Sequence, residues 1–253
     1  MDKLFDIKEK VVCVSGANGQ LGHSIVETMT ERGAYVCAID LKSKDWQNDS
    51  VLSLSADIRN ENEVIQVFRD AWKWHKRVDI LINNAGVSDF EPFSERTEER
   101  FDWVMDVNLK GTFYCIRNYV ANCIENGSKQ GNIINIASFY GLVSPDPRIY
   151  TDCARKNSEV YGATKAGVIQ MTKYFAVHLA EHNIRVNAIS PGGILNEDNP
   201  QGEDFQKNYG LRCPMKRMAK AKELMGAVIY LASSASTYTN GHNLVVDGGF
   251  SAW

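Results

Sequence analysis

Short runs of β-branched and other apolar residues recur along the chain. Most are followed by a longer stretch whose apolar positions return every three to four residues. The runs at 11–14, 34–39, 51–54, 78–82, 133–136, 184–189 and 244–246 read as buried strands. The amphipathic stretches at 21–32, 61–75, 97–126, 159–182 and 221–233 read as helices. Strand–helix alternation predicts an α/β fold: a doubly wound, Rossmann-type parallel sheet of about seven strands, with helices on both faces and right-handed crossovers. No internal repeat, low-complexity segment or Pro/Gly/Ser-rich linker breaks the pattern, so residues 1–253 read as a single domain.

Sheets of this kind bind ligands beyond the carboxyl ends of their strands, at the point where the strand order reverses. The residues just past each predicted strand are therefore informative. The first strand runs into Ser15-Gly16-Ala17-Asn18-Gly19-Gln20-Leu21-Gly22, the second into Asp40 and the third into Asp57. The fourth leads to Asn83-Asn84-Ala85-Gly86, the fifth to Ser138 and the sixth to Pro191-Gly192-Gly193. Six successive strand ends carry small, polar or conformationally special residues, and together they weigh more than any one motif.

Glycines between a strand and a helix let the backbone turn sharply and approach a pyrophosphate, while the helix N-terminus favours negative charge. A glycine triplet alone is equally well a structural turn; the context, with Asp40 closing the next strand, raises the dinucleotide reading. A carboxylate at Asp40 accepts hydrogen bonds from both ribose hydroxyls and repels a 2′-phosphate, so NAD is expected over NADP. Lys42 and Lys44 are the counter-signal, since either has the length to reach a phosphate. Asp57 is either an acceptor for the adenine amino group or the N-cap of the following helix.

Tyr161 and Lys165 lie four apart in a helical stretch and project from one face. Taken alone they are equally a half-buried Tyr beside a snorkelling Lys. Hydride transfer from an alcohol, however, requires a proton to leave the substrate oxygen, and an unperturbed phenol with a pKa near ~10 is a poor base at neutral pH. A neighbouring ammonium and the positive nicotinamide ring are both expected to favour tyrosinate and lower that pKa. Ser138 is placed to hydrogen-bond the same oxygen. Asn108, on one helical face with Phe101, Val104 and Met105, reads either as part of a proton relay to Lys165 or as a structural amide that bends its helix.

Composition limits the partners. The net charge is −3, with 44% apolar and 23% charged residues, so neither nucleic acid nor an anionic membrane is an expected partner. No apolar run approaches a membrane span, and the first residues carry no secretory pattern. Six scattered cysteines (13, 37, 115, 123, 153 and 213) without a C-x-x-C pair point to reduced, buried thiols and a cytoplasmic protein. His178-x-x-Glu181-His182 matches a zinc-binding pattern, but lacks a third ligand, and no metal is expected.

These motifs, with Asp57-Ile58, Arg185-Val186-Asn187 and Asp247-Gly248-Gly249, resemble the short-chain dehydrogenase/reductase family, in its subgroup of about 250 residues, along essentially the whole chain. The resemblance implies Tyr161 as acid/base, Lys165 as ribose contact and helper of Tyr161, Ser138 as substrate-positioning group and Asn108 as relay support. It completes the set of candidate cofactor contacts: Gly16, Asn18, Gln20, Leu21, Gly22, Asp40, Leu41, Asp57, Ile58, Asn84, Ala85, Gly86, Tyr161, Lys165, Pro191, Gly192, Gly193 and Ile194. It also implies a homotetramer or homodimer.

Three departures stand out. Ser15 replaces the usual Thr, Gln20 stands at a usual Gly, and Gly19 sits one place early. Ser138 and Tyr161 are further apart than usual, so residues 139–160 read as an extended substrate-side loop, with 195–220 as a second substrate-side loop or helix. Asn196 replaces a usual Thr. The loop and the C-terminal end resemble members from bacterial nonulosonic-acid and flagellin-glycan sugar pathways, so carbohydrate biosynthesis is expected. The mixed charges of the loop suit a polar, even phosphorylated, sugar or amino-sugar. The expected function is an NAD-dependent interconversion of a secondary alcohol and a ketone. Alternatives are a dinucleotide-binding sensor on the same fold, or an epimerase or dehydratase with tightly held NAD.

Overall fold

The computed structural model describes residues 3–128, 130–151 and 156–253. Seven parallel strands form one sheet in the order β3-β2-β1-β4-β5-β6-β7. They are β1 (Val11–Ser15), β2 (Tyr35–Asp40), β3 (Val51–Ser55), β4 (Ile80–Asn83), β5 (Gly131–Ile136), β6 (Ile184–Pro191) and β7 (Asn243–Val246). Helices α1 (Gln20–Glu31), α2 (Glu61–His75), α3 (Glu98–Met105), α4 (Thr112–Glu125), α5 (Glu159–His178), α6 (Glu203–Arg212) and α7 (Met225–Ala232) connect or follow them. The doubly wound sheet expected from the alternation is what forms. Strand order reverses between β1 and β4, which opens a crevice at their carboxyl ends.

Strands buried on both faces explain the runs without alternation. One apolar layer packs Val12, Val14, Val36 and Ile82 against Ile25, Met29 and Val228. The opposite layer packs Cys13, Cys37, Leu81 and Ile133 against Phe68, Ile116 and Tyr119. Cys13 and Cys37 are register partners across β1 and β2. They are free and buried, as are Cys115, Cys123 and Cys213; Cys153 lies outside the described residues.

Two buried carboxamides tie elements together across the core. Asn83 donates to the Asn135 carboxamide at 2.8 Å, and Asn135 donates to Thr172 Oγ1 at 2.9 Å. This ladder pins β4, β5 and α5 in one register just below the strand ends that build the crevice.

Three helices differ from the pattern reading. The expected helix at 97–126 is interrupted by a π-helical segment, Asp106–Gly111, between α3 and α4. That expected at 159–182 ends at His178 and finishes in a 3₁₀ turn, Ala180–His182. The one expected at 221–233 begins with a 3₁₀ turn, Ala221–Leu224. Among the described residues, no helix is long and apolar enough to cross a membrane.

Candidate functional site

A cavity of about 900 Å³ runs along the carboxyl edge of the sheet and is lined by all six expected strand ends. Its first part is a backbone cradle. Gly16 has φ +65°, and a Cβ there would sit 2.7 Å from Ala85 Cα. A Cβ on Gly22 would fall 2.0 Å from the Gly16 carbonyl oxygen. Neither position can hold a side chain, so β1, the loop and α1 approach more closely than any other residue permits. Gly19 caps α1 without a side-chain hydrogen bond, and Gln20, Leu21 and Gly22 of its first turn line the cavity. Asn84 donates to the carbonyls of Ser15 (3.1 Å) and Gly16 (2.9 Å), while Ser15 Oγ accepts from the N–H groups of Asn84 and Ala85. A cradle of bare backbone at a helix N-terminus fits a pyrophosphate.

Asp40 stands at the end of β2 with its carboxylate accepting from Asn18 N–H (2.9 Å) and Leu41 N–H (2.8 Å). Lys44 is drawn elsewhere: its ammonium lies 4.6 Å over the Trp46 ring and 3.3 Å from His23 Nδ1. Asp57 does not cap the next helix, because Asn60 accepts from Asn62 N–H and takes that place. It pairs instead with Arg59 at 2.6 Å, which holds its carboxyl below the usual range. Arg59, not singled out from the sequence, lines the cavity beside it. Ile58 is buried and packs against Gly111, where a Cβ would meet it at 2.6 Å.

At the other end Ser138 lies two residues beyond β5, and its Oγ accepts from Tyr140 N–H at 3.1 Å. Tyr161 sits in the first turn of α5, whose N-cap Ser158 accepts from Tyr161 N–H at 3.2 Å. One turn on, Lys165 is 4% exposed and donates from Nζ to the Ile136 carbonyl at 2.9 Å. Nζ lies 5.6 Å from the centre of the Tyr161 ring. Burial pulls the Lys165 pKa down to about 8. The expected lowering of the phenol is not present in the protein alone: burial raises the Tyr161 pKa, and hydrogen bonding with Ser138 offsets only part of that. The reason is geometric, since the ammonium is aimed at a backbone carbonyl and has itself lost affinity for its proton.

Asn108 lies within the π-helical segment. Its Oδ1 accepts from Val87 N–H at 2.8 Å, and its Nδ2 donates to the Val87 carbonyl at 2.9 Å and to Thr164 Oγ1 at 3.1 Å. All of that is spent on fixing the β4 loop against α5, so the side chain acts as a tie. A Cβ on Gly86 would lie 3.2 Å from Lys165 Nζ and 3.5 Å from Asn108 Oδ1. Gly86 therefore passes through the centre of this group.

The substrate-side loops differ most from expectation. Asp146 pairs with Arg148 at 2.6 Å and lies 3.5 Å from Arg212; Arg148 is 82% exposed. These charges satisfy one another, and none of the three residues lines the cavity. Asp152 and Arg155 fall outside the described residues. What the loops bring to the cavity is Phe139, Tyr140, Tyr150 and Asn157 from one, and Gln201, Phe205, Tyr209 and Met218 from the other. The density of Tyr, Phe and Met in these stretches is their only signal in the sequence. Asn196 does not face the site; its Oδ1 accepts from Asp198 and Asn199 N–H in a turn. Gln20 reaches across and donates to the Leu195 carbonyl at 2.5 Å, joining the glycine loop to the second substrate-side loop. Gly193 is held by Ala219 and by Tyr209, whose hydroxyl accepts from Gly193 N–H. Among the described residues, no His/Cys/Asp/Glu group of three or more could hold a metal ion. His178 packs on Tyr174 with ring centres 4.1 Å apart, and His182 lies beside Glu181.

The chain has extensive likeness to known proteins. A family model described as Enoyl-(Acyl carrier protein) reductase matches residues 16–251. An NAD-dependent glycerol dehydrogenase of Listeria innocua is 34% identical over 98% of this chain and 96% of its own length. A ribulose-forming D-arabinitol 2-dehydrogenase of Candida tropicalis is 32% identical, covering 98% of this chain and 95% of its own. A 2-dehydro-3-deoxy-D-gluconate 5-dehydrogenase of Escherichia coli is 33% identical, covering 98% of both. The crystal structure of a short chain dehydrogenase from Leptospira borgpetersenii with bound NAD+ is 41% identical and superposes with a TM-score of 0.90, covering 97% of this chain and 94% of that one. The glycine cradle, the Tyr–Lys pair and these full-length matches agree: the chain belongs to the short-chain dehydrogenase/reductase family.

Proposed function

We propose that this protein is an NAD-dependent dehydrogenase that interconverts a secondary alcohol and a ketone on a polyhydroxylated, sugar-like substrate. One observation carries the reading: a single cavity joins a dinucleotide-sized backbone cradle, ended by Asp40, to Ser138, Tyr161 and Lys165. The glycerol, arabinitol and deoxygluconate dehydrogenases among the relatives support a polyol or sugar-acid class. They favour a dehydrogenase over a sensor or an epimerase. They also lean towards breakdown rather than synthesis of carbohydrate, and none of the three is named for nonulosonic-acid or flagellin-glycan chemistry.

Gly16, Asn18, Gln20, Leu21 and Gly22 would hold the pyrophosphate, with Asp40 and Leu41 at the ribose. Asp57 and Ile58 would flank the adenine, with Asn84, Ala85 and Gly86 beside the adenosine. Pro191, Gly192, Gly193 and Ile194 would flank the nicotinamide. Bound NAD supplies the hydride acceptor and a positive ring that favours tyrosinate. Tyr161 takes the proton of the substrate hydroxyl in oxidation and returns it in reduction. Ser138 hydrogen-bonds the same oxygen. Lys165 and Asn108 are positioning residues that fix α5 against the ends of β4 and β5.

We place the protein in a reducing compartment, the cytoplasm, on its free, buried thiols. We also read it as a homotetramer or homodimer. Phe101, Ile124, Tyr174 and Val177 lie exposed on α3, α4 and α5, a set of apolar side chains that a second copy would cover.

Tyr161→Phe is expected to lower kcat by roughly 10²–10⁴-fold while NADH binding, followed by fluorescence, stays near wild type; retained turnover would remove Tyr161 from the acid/base role. Asp40→Ala is expected to erode the preference for NAD by roughly tenfold, the scale of one charge-assisted hydrogen bond. A wild-type enzyme that already prefers NADP would contradict that reading. Lys165 generates a stability test. Its pKa falls from 10.5 to about 8 on folding, so between those values the unfolded chain binds more protons and stability rises with pH. Below pH 8 the full burial cost is present. Lys165→Met should therefore be more stable than wild type at pH 7 by on the order of 2 kcal/mol, the size of the shift less one hydrogen bond. The difference should shrink as pH rises through that window in paired urea titrations. Light scattering should give a mass of two or four chains, and a monomer at micromolar concentration would refute the assembly.

A further inference from the structure

The extended loop brings two phenols together on the cavity wall. Tyr140 and Tyr150 place their hydroxyl oxygens 3.1 Å apart, and both line the cavity. The pair carries two protons and spends one on the bond it shares. Among the described residues neither hydroxyl has another acceptor, so one phenolic proton of this cavity-lining pair is left without a partner. Burial raises the pKa of both phenols, which keeps them protonated donors at neutral pH. The Asn157 N–H faces the Tyr150 hydroxyl. The Asn157 carboxamide oxygen accepts from Ser88 Oγ at 3.1 Å, and Asn157, whose NH₂ group carries two more donors, lines the same cavity. Tyr140, Tyr150 and Tyr161 belong to one packed cluster and line the same cavity, so this donor set adjoins the reacting end of the site. A buried donor without an acceptor costs free energy that a ligand oxygen recovers.

We infer that Tyr150, Tyr140 and Asn157 form a second oxygen-binding subsite that reads the hydroxyl on the carbon next to the reacting carbinol, making vicinal diols and the corresponding α-hydroxyketones the substrate class. The inference rests on the dehydrogenase reading. The reaction it describes is oxidation of one carbinol by NAD, with the hydride going to NAD, the proton to Tyr161 and the neighbouring hydroxyl unchanged.

The test compares kcat/KM for butane-2,3-diol with that for butan-2-ol, and for arabinitol with its monodeoxy analogues, with NAD as oxidant. The wild-type protein should favour the diol of each pair by roughly tenfold or more, because removing the second hydroxyl leaves the donors unpaired. Tyr150→Phe should collapse that ratio towards one, chiefly through KM, and Asn157→Ala should move it the same way by a smaller factor. The two variants check each other should one fold poorly. A wild-type ratio near one, or a ratio unmoved in both variants, overturns the subsite while leaving the dehydrogenase intact. Failure to reduce NAD with any alcohol of the panel overturns the dehydrogenase reading and the subsite with it.

Discussion

The tie between β1 and β4 is the constraint on which the site depends. Asn84 donates to two carbonyls of the glycine loop, and Ser15 Oγ accepts from two N–H groups beyond β4. These four bonds fix the ends of two neighbouring strands whose connections leave in opposite directions. The crevice is the gap that this divergence opens. With Gly16 pressed on Ala85 and Gly22 on Gly16, the loop has no freedom to collapse into the gap. The other strand ends are then set relative to this frame by strand register, and Tyr161 and Lys165 by the seating of α5.

The chemistry sits at the dry end of the same frame. Lys165 is buried against one carbonyl, and Tyr161 is lifted in pKa by the enclosure that would exclude water from a reaction. The protein carries a poised but not yet ionised phenol, and a cationic ring placed beside it would tip the balance towards tyrosinate.

Much of this is legible in the residues alone. Each strand lies within one or two residues of its apolar run, because both sheet faces are covered and the runs are uninterrupted. The glycines, Asp40, Ser138, Tyr161 and Lys165 meet in one cavity because parallel topology sends all strand ends to the same edge. Other features are hidden because they depend on partners distant in sequence. Asp146 and Arg148 look like substrate-binding charges until Arg212 and their own adjacency absorb them. The direction of the Tyr161 shift depends on enclosure, which spacing does not encode. Helix α6 is mostly polar, and only Phe205 and Tyr209 mark its inward side. The π-helical segment escapes a pattern reading because one added residue in a short stretch does not alter an apolar periodicity spread over a much longer one.

That segment has a consequence for how the family's helix can change over evolution. An α-turn advances about 100° per residue, and a π-turn stores one extra residue in nearly the same length. Removing any single residue between 106 and 111 would let the helix relax to regular winding without shortening it much. The amide at 108 would then swing away from Val87 and Thr164, and the two halves of the cleft would lose their common anchor. Length variation should therefore be tolerated in the loops that face substrate, but not in this uninterrupted-looking helix.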